Sequence, residues 1–174
     1  MSGSLRPRDD QVIPLAEILA SAAALARPPG TRIQLGFPAT EVHVRAHRGQ
    51  LVHAIFNLLD NACRVSPPGQ AVEVRIVETP DRVEIEIEDK GPGLPTGLES
   101  ADVRAPSRAG SGYGLLAARR FLEANRGGLS FERLVAGGTL CRVTLPSTAA
   151  PAVEQAGPSA AATHEAKPLM AKEA

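Results

Sequence analysis

Apolar and polar positions change period several times along the chain, and each period predicts an element. "PLAEILASAAALAR" (14–27) reads as a helix, with Pro14 at a position suited to its first turn. "TRIQLGF" (31–37) and "TEVHVRA" (40–46) alternate as two strands. "HRGQLVHAIFNLLDNACRV" (47–65) is a longer helix, ended by "SPPG". "QAVEVRIVET" (70–79) and "DRVEIEIEDK" (81–90) are strands joined by a short turn at Pro80-Asp81. Residues 90–111 are rich in Gly, Pro and Ser and have no period. "YGLLAARRFLEAN" (113–125) is a helix that stops at Gly127-Gly128, and "LSFERLV" and "TLCRVTLP" form a final hairpin.

The predicted order is α-β-β-α-β-β-loop-α-β-β. Strands in adjacent pairs with short turns imply a mixed, mainly antiparallel sheet covered by helices on one face, which is a two-layer α/β sandwich. Regular β-α-β alternation is missing, against a doubly wound Rossmann sheet. The strands carry the same message. Val83, Ile85 and Ile87 alternate with Glu84, Glu86 and Glu88, and Val72, Val74 and Ile76 alternate with Glu73 and Arg75. Each strand has one apolar and one charged face, as in a sheet covered on one side only.

Composition sets the limits. From about Ser147 the chain becomes rich in Ala, Pro and Ser/Thr without strong period. Such a segment buries too little apolar surface to offset its ordering entropy. The expectation is therefore a flexible N-terminus over residues 1–11, a folded unit over 12–146 and a disordered tail over 147–174. Only four Phe and one Tyr are present in 174 residues, so Leu, Val, Ile and Ala must build the core. A formal net charge of zero argues against nucleic-acid or membrane-surface binding. Cys63 and Cys141 lie in apolar surroundings and read as two buried reduced thiols, not a disulfide. No apolar run reaches the ~20 residues that span a bilayer, and no signal-peptide core is present. A soluble cytoplasmic protein is expected.

Three stretches carry candidate chemistry. Asp89 is in phase with Val83, Ile85 and Ile87, so it should point to the covered side. A carboxylate there costs several kcal/mol unless paired. Gly91 and Gly93 follow at once and let the backbone come close to something, such as a ligand donating from an exocyclic amine. Ending a strand at a turn is the plainer use of Asp before Gly-Pro-Gly. In the long helix, His53, Asn57, Asp60, Asn61 and Arg64 form one polar stripe. An ordinary solvated face would carry Glu and Lys, which are better helix formers than Asn. Asn oxygens can complete a Mg2+ shell, and Arg64 can meet a phosphate. Finally, Gly110, Gly112 and Gly114 precede a helix, where exposed N–H groups and the helix dipole suit phosphate. The Walker lysine is absent, and no strand leads directly into these glycines, so neither a P-loop nor a dinucleotide fingerprint applies. The long loop before them can move as a lid.

In this order, "FNLLDNACRVSPPG", "DKGPGLP", "GSGYGLLAARRFLEANRGG" and "GGTLCRVTLP" resemble the asparagine box, two glycine boxes and closing hairpin of the histidine-kinase ATP-binding domain. That domain has the Bergerat fold, shared with DNA gyrase, MutL and the ninety-kilodalton heat-shock chaperone. The resemblance covers about residues 12–146. It implies ATP and Mg2+ as cofactors. Asn61 would ligate the Mg2+ that bridges the phosphates, and Asn57 would sit near the transferred phosphoryl group as the catalytic position. Arg64 would touch phosphate. Asp89 would accept from the adenine amine, bordered by Gly91 and Gly93. Gly110, Gly112 and Gly114 would shape the end of the lid, and Thr139 the floor of the adenine pocket. Asn57 stands where self-sufficient ATPases of the fold commonly carry Glu. Asn cannot take a proton, so the reading favours a kinase whose base comes from the acceptor.

The sequence departs from the family in three respects. The helix pair carrying a phosphoacceptor histidine is missing, so the expected partner is a histidine phosphoacceptor/dimerisation domain, or a response-regulator pathway protein, acting in trans. A monomer is expected for the same reason. "HEAKPL" (164–169) is one residue short of the acceptor motif and reads as coincidence. The stretch 94–109 lacks the phenylalanine-bearing lid segment, and Val65 replaces a frequent Tyr. His43 and His47 flank a strand and are expected at the surface, with His53 at the pocket rim. Two alternatives stand beside the kinase: a degenerate module that docks a signalling partner, and an anti-sigma-type serine kinase.

Overall fold

The computed structural model describes residues 10–26, 30–94 and 113–149. Ten elements follow in order: β1 (Gln11–Pro14), α1 (Leu15–Ala26), β2 (Arg32–Gly36), β3 (His43–Ala46), α2 (Arg48–Val65), β4 (Ala71–Glu78), β5 (Arg82–Glu88), α3 (Tyr113–Ala124), β6 (Gly128–Arg133) and β7 (Thr139–Pro146). A five-stranded mixed sheet runs β2-β4-β5-β7-β6, and β1 and β3 form a separate antiparallel pair. Only β2 and β4 pair parallel; the other pairs in both sheets are antiparallel.

The one-sided alternation of the central strands is realised. Val74 lies opposite Ile87, Ile85 opposite Val143, and Ile87 opposite Cys141. These rows are buried against Leu51, Ile55, Leu58 and Leu59 of α2 and Leu122 of α3. Full burial of each such aliphatic side chain stabilises by about 1.5–3 kcal/mol. The other face is charged. Arg75 sits 3.6 Å from Glu86 and 3.3 Å from Glu88, and Arg142 sits 3.2 Å from Glu86 and 2.6 Å from Glu132. Exposed cross-strand pairs of this sort contribute ~1 kcal/mol or less each, so the covered face dominates stability.

Helix α2 is capped at both ends. The His47 Nδ1 accepts from the Gln50 N–H, and the Ser66 N–H donates to the Ala62 carbonyl. Pro67 and Pro68 follow and cannot continue the helix. Its apolar stripe packs between α1 and α3 and onto the sheet, while its polar stripe stays open. Among the described residues, no helix is long and apolar enough to cross a membrane.

Four expectations are corrected here. Pro14 ends a strand instead of opening the helix; the Leu15 N–H bonds to the Val42 carbonyl and starts α1 one residue later. The strand β1 is an element that periodicity did not predict. Strands β2 and β3 do not pair with each other: β3 takes β1, and β2 takes β4. Alternation defines a strand's faces but carries no information about its partner. Finally, His43 is buried rather than at the surface, 5% exposed, because β1 lies beside it and the Thr148 N–H bonds to its carbonyl. Both Cys63 and Cys141 are buried free thiols, as expected.

Candidate functional site

Asp89 follows the last residue of β5 and keeps the strand's phase, so its carboxylate turns to the covered side, 6% exposed. Antiparallel pairing with β7 continues through it, since its N–H donates to the Thr139 carbonyl at 2.9 Å. Two backbone groups hold the carboxylate. The Gly91 N–H donates to Oδ1 at 2.8 Å, and the Thr139 N–H donates to the same oxygen at 3.1 Å. Charge-assisted bonds of this type supply what a buried carboxylate needs. Both fall on Oδ1, so Oδ2 carries none of the hydrogen bonds between described residues. The Cys141 thiol is pushed up by burial first and by the Asp89 charge second.

The surrounding glycines are sterically required. A β carbon on Gly91 would stand 2.9 Å from both the Val65 carbonyl oxygen and its Cγ2. One on Gly138 would stand 2.1 Å from the Asp89 carbonyl oxygen, and the Gly138 φ of +96° already disfavours any side chain. The backbone therefore closes on Asp89 from two directions. Ser66, the C-cap of α2, adds a third tie by accepting from the Lys90 N–H at 3.2 Å. That contact brings the end of α2, and so its polar stripe, beside the glycine loop.

Along the stripe, Asn57 is half-buried, and its Nδ2 is buried without a hydrogen-bond partner among the described residues. A β carbon on Gly114 would come within 3.1 Å of the Asn57 Oδ1, so the start of α3 lies against this side chain. Asn61 is exposed one turn later. Arg64 and Asp60 pair with each other at 2.5 Å, so Arg64 lies beside a carboxylate at the edge of the stripe. Thr139 is buried as the first residue of β7, and Gly93 has a φ of +80° at the outer end of the loop. Gly110, Gly112, the lid and "HEAKPL" lie outside the described residues.

The structure thus brings Asp89, Gly91, Gly93 and Thr139 into one cluster, and Asn57 and Gly114 into contact. Sequence reasoning gave no role to Gly138 or Ser66. Gly138 belongs to the "GGT" motif already noticed, so its signal was present; Ser66 had none beyond its place before two prolines. A separate cleft of about 490 Å3 lies between α2 and α3, lined by His47, Gln50, His53, Arg120 and Phe121 among others. His53 lies at the rim of this cleft, stacked on Phe56 at 6.2 Å, and not beside Asp89.

The donor set fits a nucleotide. A buried carboxylate whose Oδ2 takes no hydrogen bond from another described residue suits an amine donor, and the Asn57 Nδ2, buried without a partner among the described residues, offers a donor beside the start of α3. For a divalent cation, Asn61 offers a neutral oxygen on the open face, to which phosphate and water oxygens would be added.

Comparisons with known proteins agree with this geometry. The family model described as histidine kinase-, DNA gyrase B-, and HSP90-like ATPase matches residues 46–149. The signal transduction histidine-protein kinase/phosphatase MprB of Mycolicibacterium vanbaalenii is 30% identical over 165 residues, covering 90% of this chain and 33% of that protein. The adaptive-response sensory kinase SasA of Synechococcus sp. (strain JA-3-3Ab) is 29% identical over 123 residues, covering 66% of this chain and 33% of that protein. The chain thus spans about a third of the length of these curated relatives. A solved structure of a mycobacterial sensor histidine kinase MprB superposes with a TM-score of 0.70 at 26% identity, covering 79% of this chain and 97% of that one. The catalytic domain of histidine kinase ThkA has the same fold, with a TM-score of 0.70 at 18% identity over 80% of this chain and 98% of that one. The chain belongs to the histidine kinase-, DNA gyrase B- and HSP90-like ATPase family and carries an ATPase-type catalytic domain of the kind found in sensor histidine kinases.

Proposed function

We propose that this domain binds ATP with Mg2+ and donates the γ-phosphoryl group to a histidine on a separate dimerisation/phosphoacceptor domain of a two-component pathway. The observation that carries the reading is the Asp89 cluster, a buried carboxylate whose hydrogen bonds from described residues both fall on Oδ1, with Gly91 and Gly138 packed so closely around it that neither admits a side chain. Asp89 accepts from the adenine amine. Gly91, Gly93 and Thr139 border the base. Asn61 holds Mg2+, which neutralises phosphate charge when bound. Asn57 would face the transferred phosphoryl group and Gly114 would border the phosphates, a role the reading extends to Gly110 and Gly112, which lie outside the described residues. Asn57 cannot accept a proton, so it orients and donates. The nucleophile is then the acceptor's own imidazole, activated from its own side.

The test has two stages. Calorimetric titration with ATP, with and without Mg2+, should detect binding that Mg2+ strengthens. Radiolabelled ATP should then give acid-labile label on the phosphoacceptor domain of the cognate sensor kinase. Binding without acid-labile transfer would reject the kinase reading, and acid-stable phosphoserine would point to a serine kinase. A second reading, a module that docks a signalling partner without turnover, draws support from Arg64, whose guanidinium is engaged by Asp60. It predicts a partner complex that survives Asn61→Ala.

A further inference from the structure

We infer that Arg133 is a positioning residue for the nucleobase pocket, holding the Gly91–Leu94 loop from outside while Asp89 holds it from inside. The inference rests on the nucleotide-binding reading and adds to it a residue that no glycine or asparagine motif contains. Arg133 is the last residue of β6 and lies opposite Thr139 in the β6–β7 register. Thr139 is the residue whose N–H holds Asp89. Register therefore places Arg133 beside the pocket, although it is 44 residues away from Asp89 in sequence.

Three contacts define the arrangement. The Arg133 Nη1 donates to the Leu94 carbonyl at 3.1 Å. The Arg133 Cγ and Nε both lie 3.3 Å from where a β carbon on Gly93 would stand, so the stem covers that glycine. The Gly138 carbonyl lies 3.1 Å from the same point. Gly138 is itself locked by its Leu134 hydrogen bond and by its approach to Asp89. The loop is thus gripped at Lys90 by Ser66, at Gly91 by Asp89 and at Leu94 by Arg133. Arg133 supplies the tie at its outer end. A loop fixed at its inner end alone samples more conformations, and a base must then order it on binding.

The role needs a long stem and a donor, not a charge aimed at phosphate. Arg133→Lys keeps stem and donor, and Arg133→Met keeps the stem alone. The purified chain should be titrated calorimetrically with adenosine and with ADP. Losing one hydrogen bond to an ordered loop should weaken Arg133→Met about five- to tenfold for both ligands. Arg133→Lys should stay within about threefold of wild type, and because Arg133 is exposed, both variants should melt with the wild type. A loss confined to ADP, with adenosine unaffected, would overturn the inference and make Arg133 a direct phosphate ligand. Equal affinity of Arg133→Met and wild type would overturn it while leaving nucleotide binding intact. Failure of wild type to bind either ligand would overturn both readings.

Discussion

Replacing Asp89 by Asn separates the carboxylate's role in folding from its role in binding. The two bonds that anchor it, from Gly91 at 2.8 Å and Thr139 at 3.1 Å, both end on Oδ1. An Asn amide oxygen can occupy that place and accept both. The amide nitrogen then takes the place of Oδ2 and presents a donor where the ligand's amine also donates. The fold should change little, because no backbone N–H loses its acceptor. Binding should lose a hydrogen bond to a charged group, about 1.5–3 kcal/mol. At 1.4 kcal/mol per factor of ten, ATP affinity should fall about 10- to 150-fold. Calorimetry gives the affinity and thermal melting the stability. Inosine triphosphate, which lacks the exocyclic amine, serves as the internal control: wild type should prefer ATP strongly, and Asp89→Asn should not. Asp89→Ala provides the contrast. It leaves two buried N–H groups unpaired at about 1–3 kcal/mol each, so it should melt well below both. ATP affinity of Asp89→Asn within twofold of wild type would refute the reasoning, as would an unchanged preference for ATP over inosine triphosphate.

Other perturbations test neighbouring parts of the argument. Gly138→Ala drives a β carbon to 2.1 Å from the Asp89 carbonyl oxygen and should lower the unfolding free energy by about 2–5 kcal/mol. Gly137→Ala, at a similar φ of +90° with open space around it, should cost only about 1–2 kcal/mol, and urea unfolding compares the two. Asn61→Ala should remove most of the Mg2+-dependent part of ATP affinity and leave Mg2+-free binding within about twofold, measured by titration in the presence of a chelator. Both thiols are pushed up from the ordinary value of 9.0, Cys141 by burial and then Asp89, Cys63 by burial and then Asp60. Their protonated folded state contributes stability that is complete below that value and declines as pH rises past it. Urea midpoints should therefore fall between about pH 8 and about pH 10, less steeply in Cys141→Ala, and a flat profile would reject the assignment.

Much of the fold can be read from periodicity, because burial on one face imposes it. The alternation in β4 and β5 marks the covered side, and the parity of Asp89 places a carboxylate there before any contact is known. The stripe of α2 is equally legible, since seven of its residues are buried in a helical pattern and the asparagines fall outside it. The illegible parts depend on partners. The four residues of β1 are too few to establish a period and end in Pro14. The parallel pairing of β2 with β4 crosses over β3 and α2, and β2 shows the same alternation with any neighbour. His43 alternates like a surface residue until β1 and Thr148 are laid beside it.

The site shows the same division between residue and register. Asp89 can be suspected from its own strand, but what makes it tolerable is the Thr139 N–H, 50 positions later. What closes the space around it is Gly138, and what ties down its loop is Arg133. All three are delivered by the pairing of β7 with β5 and β6, whose last pairs beside the site are Glu88 with Leu140 and Arg133 with Thr139. A shift of one residue in that pairing would move every β7 side chain to the opposite face. Val143 and Leu145 would leave the core, and the Thr139 N–H would leave Asp89. Core burial and pocket assembly are therefore one event, and the hydrophobic energy that fixes the register also preorganises the carboxylate.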